Sequence, residues 1–120
     1  MELVISLLII FIALEHMAFL YLEMFMWTKK PGIKIFGHSK EEAEKSKILA
    51  ANQGLYNGFI AAGLIWGLIH PDSELGNQII LFFLICVVIA GIYGALTAKQ
   101  SILYIQALPA LIATVLVLLK

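Results

Sequence analysis

Four long apolar runs, separated by short polar stretches, dominate the chain. The first extends from about Leu3 to Trp27 and is broken by ionisable groups only at Glu15, His16 and Glu23. Its roughly 25 residues exceed the ~20 that a helix needs to cross a bilayer, and Trp27 suits a membrane–water boundary. A polar segment, 28–47, follows and opens with Pro31-Gly32. Ser39 and Glu42 stand at capping-box spacing, which predicts a helix that starts near Ser39. That helix should run unbroken into the second apolar run, Ile48 to Ile69, which Pro71 terminates. HPDSELGN then reads as a turn. The third run covers about Gln78 to Ala98, and the fourth about Ser101 to Leu119 after a few residues around Lys99. Pro109 lies inside the fourth run and should kink it, releasing a carbonyl near Ile105. The pattern predicts an all-α, polytopic membrane protein. Four antiparallel transmembrane helices would form one bundle, a single domain over residues 1–120.

Composition agrees with that pattern. The chain is 62% hydrophobic and 13% charged, against about 45–50% and about 25% for soluble domains. Met1-Glu2 offers no basic leader, so the first run is read as a retained span and not a signal peptide. Formal net charge is zero, and the basic segment also carries Glu41, Glu42 and Glu44, which argues against a nucleic-acid partner. The lone cysteine, Cys86, excludes an intrachain disulfide and reads as a small hydrophobe. Lysines set the expected orientation. Lys29, Lys30, Lys34, Lys40, Lys45, Lys47 and Lys99 fall on one side of the four spans, and only Lys120 on the other. The positive-inside rule then puts the protein in the cell membrane with loop 28–47 cytoplasmic and both termini outside.

Candidate chemistry follows from the polar groups that interrupt these spans. A charged residue at mid-bilayer costs about 2.5–3.5 kcal/mol on insertion scales, so each needs a partner or a purpose. His16 and Glu23 lie about 20° apart on a helical wheel, Trp27 continues their face, and Glu15 lies on its shoulder. On the second span Asn52, Gln53, Tyr56 and Asn57 fall within about 140°, with Gly54, Gly58 and Ala61 opposite at small-xxx-small spacing. Counted inward at about 1.5 Å per residue, Glu23, Asn52, Tyr93 and Gln106 share a depth of roughly 6–8 Å, while Asn57 and His16 come deeper at roughly 13–16 Å. These levels predict a polar pocket open to the cytoplasm and sealed outward by Leu, Ile, Val and Ala. Glu15, His16, Glu23, Trp27, Asn52, Gln53, Tyr56, Asn57, Tyr93 and Gln106 are its candidate ligand-binding residues. Their bland reading is hydrogen-bonding between helices, with Glu23 snorkelling to Lys29 or Lys30. No HxxxH, ExxH or CxxC spacing supports a metal site, and no phosphate-binding glycine loop or other cofactor signature is present.

The chain resembles a family of uncharacterised small integral membrane proteins, domain of unknown function 1304. The likeness rests on Glu15-His16 with Phe19, on Glu23-Met24-Phe25 and Trp27, on Phe36-Gly37, on LAANQGLYNGF from Leu49 to Phe59, and on Gln106 with Pro109-Ala110. It covers almost the whole chain and implies a bacterial-type four-span protein, with no catalytic residues to carry over. The chain is also similar to the small multidrug-resistance transporters in span number, in length and in a first-helix glutamate, here Glu15. It departs from them in its one-sided lysine distribution and its longer first loop.

Three function classes stay open on the sequence. One is a protein that binds or transports a small molecule, with proton linkage through Glu15, His16 or Glu23. Another is an intramembrane enzyme acting on a lipophilic substrate, with Glu23 or His16 as general acid/base. The third is a structural or accessory subunit whose polar residues hold helices together. The lipid bilayer is the expected partner in all three, and association of copies into a homo-oligomer stays open.

Overall fold

The computed structural model describes residues 1–120 and is all-helical. Helix α1 spans Glu2–Phe25, α2 Lys30–Phe36, α3 Lys40–Ile69 and α4 Ser73–Thr97. A π-helical turn, Leu103–Ala107, leads into α5, Leu108–Leu118. Three of these helices, α1, α3 and α4, are long and apolar enough to cross a membrane.

The elements start and stop where local chemistry dictates. Ser39 and Glu42 form the reciprocal capping box. The Glu42 N–H donates to Ser39 Oγ at 3.1 Å, and the Ser39 N–H donates to Glu42 Oε2 at 2.9 Å. From there α3 continues as one 30-residue helix through its polar start into its apolar run. Segment 28–47 is less of a loop than its polarity suggests, because Pro31 occupies the first turn of α2 and suits that place. Gly37 ends α2 with φ 69°, the left-handed conformation that glycine adopts at least cost. The third apolar helix starts five residues before the expected Gln78. Asp72 accepts from the N–H groups of Glu74 and Leu75 at 2.9 and 3.1 Å, so the polar residues after it are drawn into the helix.

Pro109 acts through the turn before it. Its ring would press on the carbonyl of Ile105 in a regular α-helix. The widened turn relieves that clash: the Leu108 N–H reaches back to the Leu103 carbonyl, five residues away.

The chain divides into two compact units, Leu14–Ala61 and Met1–Ala13 with Ala62–Lys120. In the first unit the end of α1 packs antiparallel to the start of α3. Gly54 lies against Met24, Glu23 and Leu20, and Gly58 against Leu20, while Trp27 bonds Ser46. In the second unit Gly63 meets Phe83, and Gly67 meets Ile80 and Gly76, so the end of α3 packs antiparallel to α4. Gly91 against Ala107 and Gly94 against Ile102 bring α4 to the π turn in the same way. Glycines thus line these close approaches, the small-residue packing that lets apolar helices come together closely. Lys120 and Glu2 form an ion pair at 3.3 Å in the second unit.

Candidate functional site

Buried positions recur along α1 at Ile5, Ile9, Ile12, His16 and Glu23. Steps of four, three, four and seven follow heptad spacing, the stripe that a helix turns toward a neighbour packed along it. His16 and Glu23 therefore occupy places that isoleucine fills nearer the N-terminus. They are 1% and 2% exposed. The matching seam of α3 runs through Ala50, Gly54, Asn57, Ala61 and Leu64, all buried.

The Gly54–Gly58 face is what builds the site. A β-carbon at Gly54 would come within 2.9 Å of Met24 Cγ, 3.0 Å of Glu23 Cβ and 3.2 Å of the Leu20 carbonyl oxygen. Because that atom is missing, the two helices close until a short asparagine can reach a glutamate. Asn57 Nδ2 donates to Glu23 Oε1 at 2.9 Å. The side chain of Gln53 stands beside the same carboxylate. Glu23 Oε2 is buried and has no hydrogen-bond partner. Glu15, half-buried two turns further along α1, likewise keeps a buried Oε2 with no partner. His16 packs edge-on to Phe19 with ring centroids 5.8 Å apart.

The expected pocket residues separate into two groups. Glu15, His16, Glu23 and Asn57 turn inward, wholly or in part, and Gln53 lines the edge of the carboxylate from an exposed position. Tyr56 and Tyr93 are 59% and 69% exposed. Asn52 is exposed too, and its amide donates to its own helix, to the Ile48 carbonyl at 2.9 Å. The shared layer of Glu23, Asn52, Tyr93 and Gln106 is therefore corrected. Two of its four members lie on the outer surface, and Gln106 is half-buried in the π turn. The reason is angular. An arc of about 140° is wider than a buried seam, so its Asn57 edge is covered while Asn52 at the other edge is not. The glycine face was expected opposite the polar one. It faces α1, with Asn57 on its border.

Trp27 belongs to a separate cluster. Its ring lies 4.7 Å from Phe36 and 4.4 Å from His38, and its Nε1 donates to Ser46 Oγ at 3.1 Å. His38 and Phe36 were not among the expected site residues, although the aromatic spacing after Trp27 could have suggested them. No group of three or more His, Cys, Asp or Glu side chains is placed to hold a metal ion.

Comparison with known proteins gives the chain its family. The family described as "Protein of unknown function (DUF1304)" matches residues 10–118. A curated relative, "Uncharacterized protein YpaA" of Lactococcus lactis subsp. lactis (strain IL1403), is 35% identical over 106 residues, covering 87% of each chain. No solved structure matches. The matched region takes in most of α1 and everything after it to the last residue of α5, and the chain belongs to the DUF1304 family.

Proposed function

We propose that this is a four-span membrane protein whose Glu23–Asn57 site binds a small molecule bearing a cationic or hydrogen-bond-donating group. The observation that carries the reading is the Glu23 carboxylate. It is 2% exposed, one oxygen is held by Asn57, and the other is buried and makes no hydrogen bond, with the Gln53 side chain beside the group. Charged groups inside a membrane are costly and mark binding sites or proton relays by default. A ligand N–H, an ammonium group or a proton would supply the donor that Oε2 lacks.

The site lies toward the cytoplasmic side in this reading, since Glu23 is two residues from the end of α1. The Lys120–Glu2 ion pair supports termini on one side, and the lysine distribution makes that side the outer one. The fourth span is formed by Leu103–Leu118. Its 16 residues reach about 24 Å, and a short span is accommodated by local bilayer thinning. His16 and Glu23 are seven residues apart, about 10 Å along the axis, too far to act on one atom. That separation favours binding over acid–base catalysis by the pair.

The test uses octylamine as the cationic probe, with octanol and octanoate as controls, in melting scans of the purified chain in mild detergent. At ten times its Kd a ligand stabilises by about 1.4 kcal/mol, or several degrees for a chain of this length. Octylamine should raise the melting temperature of the parent and not of Glu23→Gln, octanol should raise that of the parent less, as a neutral donor, and octanoate should raise neither. No shift with octylamine, or an equal shift in Glu23→Gln, would refute the assignment.

A further inference from the structure

The lysines that orient the chain fall into two sets with different surroundings. From Ser39 to Lys47 the chain carries Lys40, Lys45 and Lys47 against Glu41, Glu42 and Glu44, and the charges cancel. Lys45 pairs with Glu41 at 2.9 Å and Lys47 with Glu44 at 3.0 Å. From Lys29 to His38 there are three lysines and no acidic residue. Lys29, Lys30 and Lys34 are all exposed, and none forms an ion pair.

Their helix is fixed at the end of the first apolar helix. Gly32 is buried so closely beneath Met26 that a β-carbon there would overlap the Met26 carbonyl. Phe36 packs on Trp27. Around α2, Lys30 and Lys34 lie about 40° apart, Gly32 and Phe36 point inward on the opposite side, and Pro31 and Ile35 form an exposed apolar flank between. A short helix with lysines beside an exposed apolar flank, held at a span's end, has the geometry of an element lying in the headgroup layer.

We infer that α2 is an interfacial anchor whose Lys29, Lys30 and Lys34 bind the anionic headgroups of membrane lipids, with Ile35 set into the acyl boundary. Charge complementarity selects the occupant: three uncompensated cations within one helix length of the bilayer edge meet a negatively charged leaflet. Each lysine near such a surface adds to the attraction for anionic lipid. The paired lysines of α3 contribute little, because their charge is already offset by neighbours.

Trp27, in contact with α2, reports the lipids around it. The full chain, carrying Trp66→Phe so that Trp27 alone emits, is placed in nanodiscs of phosphatidylcholine and phosphatidylglycerol in equal amounts, with one or the other brominated. Brominated phosphatidylglycerol should quench Trp27 with an apparent affinity several-fold above that of brominated phosphatidylcholine. The ratio should fall close to one in the Lys29→Gln, Lys30→Gln, Lys34→Gln variant and keep its parent value in Lys45→Gln, Lys47→Gln. A ratio near one in the parent would overturn the inference. So would a ratio unchanged in the triple variant, or equal losses in both variants.

Discussion

The Asn57–Glu23 hydrogen bond can be weighed by a double-mutant cycle, because both partners are buried and each can be replaced by leucine. A hydrogen bond to a charged group contributes about 1.5–3 kcal/mol in soluble proteins, but interhelical bonds in membranes average only about 0.6 and reach about 1.7. The lower figures arise because the polar groups also find partners in the unfolded, membrane-inserted state. Here the contact of Gly54 with Met24, Glu23 and Leu20 fixes the helices at a spacing where the bond is short, 2.9 Å, so the upper part of the membrane range applies. Asn57→Leu leaves a buried carboxylate with neither oxygen bonded by the asparagine and should cost about 1.5–2 kcal/mol. Glu23→Leu removes that carboxylate and strands only a neutral amide, at about 0.5–1 kcal/mol. The double variant replaces the pair by apolar packing and should fall within about 1 kcal/mol of the parent, since a buried polar pair is often no better than well-packed hydrophobes. Those values give a coupling of roughly 1–3 kcal/mol. The measurement is reversible unfolding in mixed micelles, followed by helical circular dichroism. A coupling below about 0.3 kcal/mol, or a double variant as unstable as the two singles added together, would refute the claim that the pair acts as a unit.

Other outcomes follow from particular contacts. Gly54→Val should destabilise by about 1–3 kcal/mol through overpacking and weaken the Asn57–Glu23 bond. Gly58→Ala should cost less, because its new atom meets only the movable end of Leu20, and the reverse order in unfolding experiments would contradict the packing described. Ser39→Ala should cost about 1 kcal/mol by removing one half of the capping box, seen as faster hydrogen exchange confined to the first turns of α3. For orientation, cysteines introduced at Ser39 or Ser46 in a Cys86→Ala background should label only from the cytoplasm, and one at Ser73 only from outside. Mixed labelling at either place would remove the fixed topology.

Much of the helical framework was legible because long apolar helices announce themselves by length and composition. α1 and α3 begin and end within a few residues of their expected bounds, and the Ser39–Glu42 box was readable from spacing alone. What escaped was set by short-range polar chemistry. Asp72 extends α4 backward through Ser73–Asn77, residues whose polarity reads as a turn. Pro109 was recognised as a perturbation, but its outcome, a widened turn at Leu103–Ala107, depends on how the Ile105 carbonyl escapes the proline ring, and that is a matter of packing. α2 was hidden by proline and glycine, which mark a break in composition yet serve here as a first-turn residue and a tight contact.

The site was legible by residue type and less so by direction. Depth, estimated from sequence position, grouped Glu23, Asn52, Tyr93 and Gln106, but depth carries no information about which way a side chain points. Periodicity carries it, and only with a seam to refer to. Once Ala50, Gly54, Asn57, Ala61 and Leu64 are taken as one stripe, Asn57 alone of the four polar residues on that part of α3 belongs to it. Asn52 satisfies its amide on its own helix at Ile48, the ordinary resolution for a polar residue that packing leaves outside. Glu23 has no such local escape. Its seam position turns it inward, Asn57 meets one oxygen, and the other is buried with no hydrogen-bond partner. A seam that holds isoleucine at positions 5, 9 and 12 could hold apolar residues at both 23 and 57, with no buried polar pair to satisfy. The proposed binding role accounts for a buried polar pair that adds so little to stability over apolar packing.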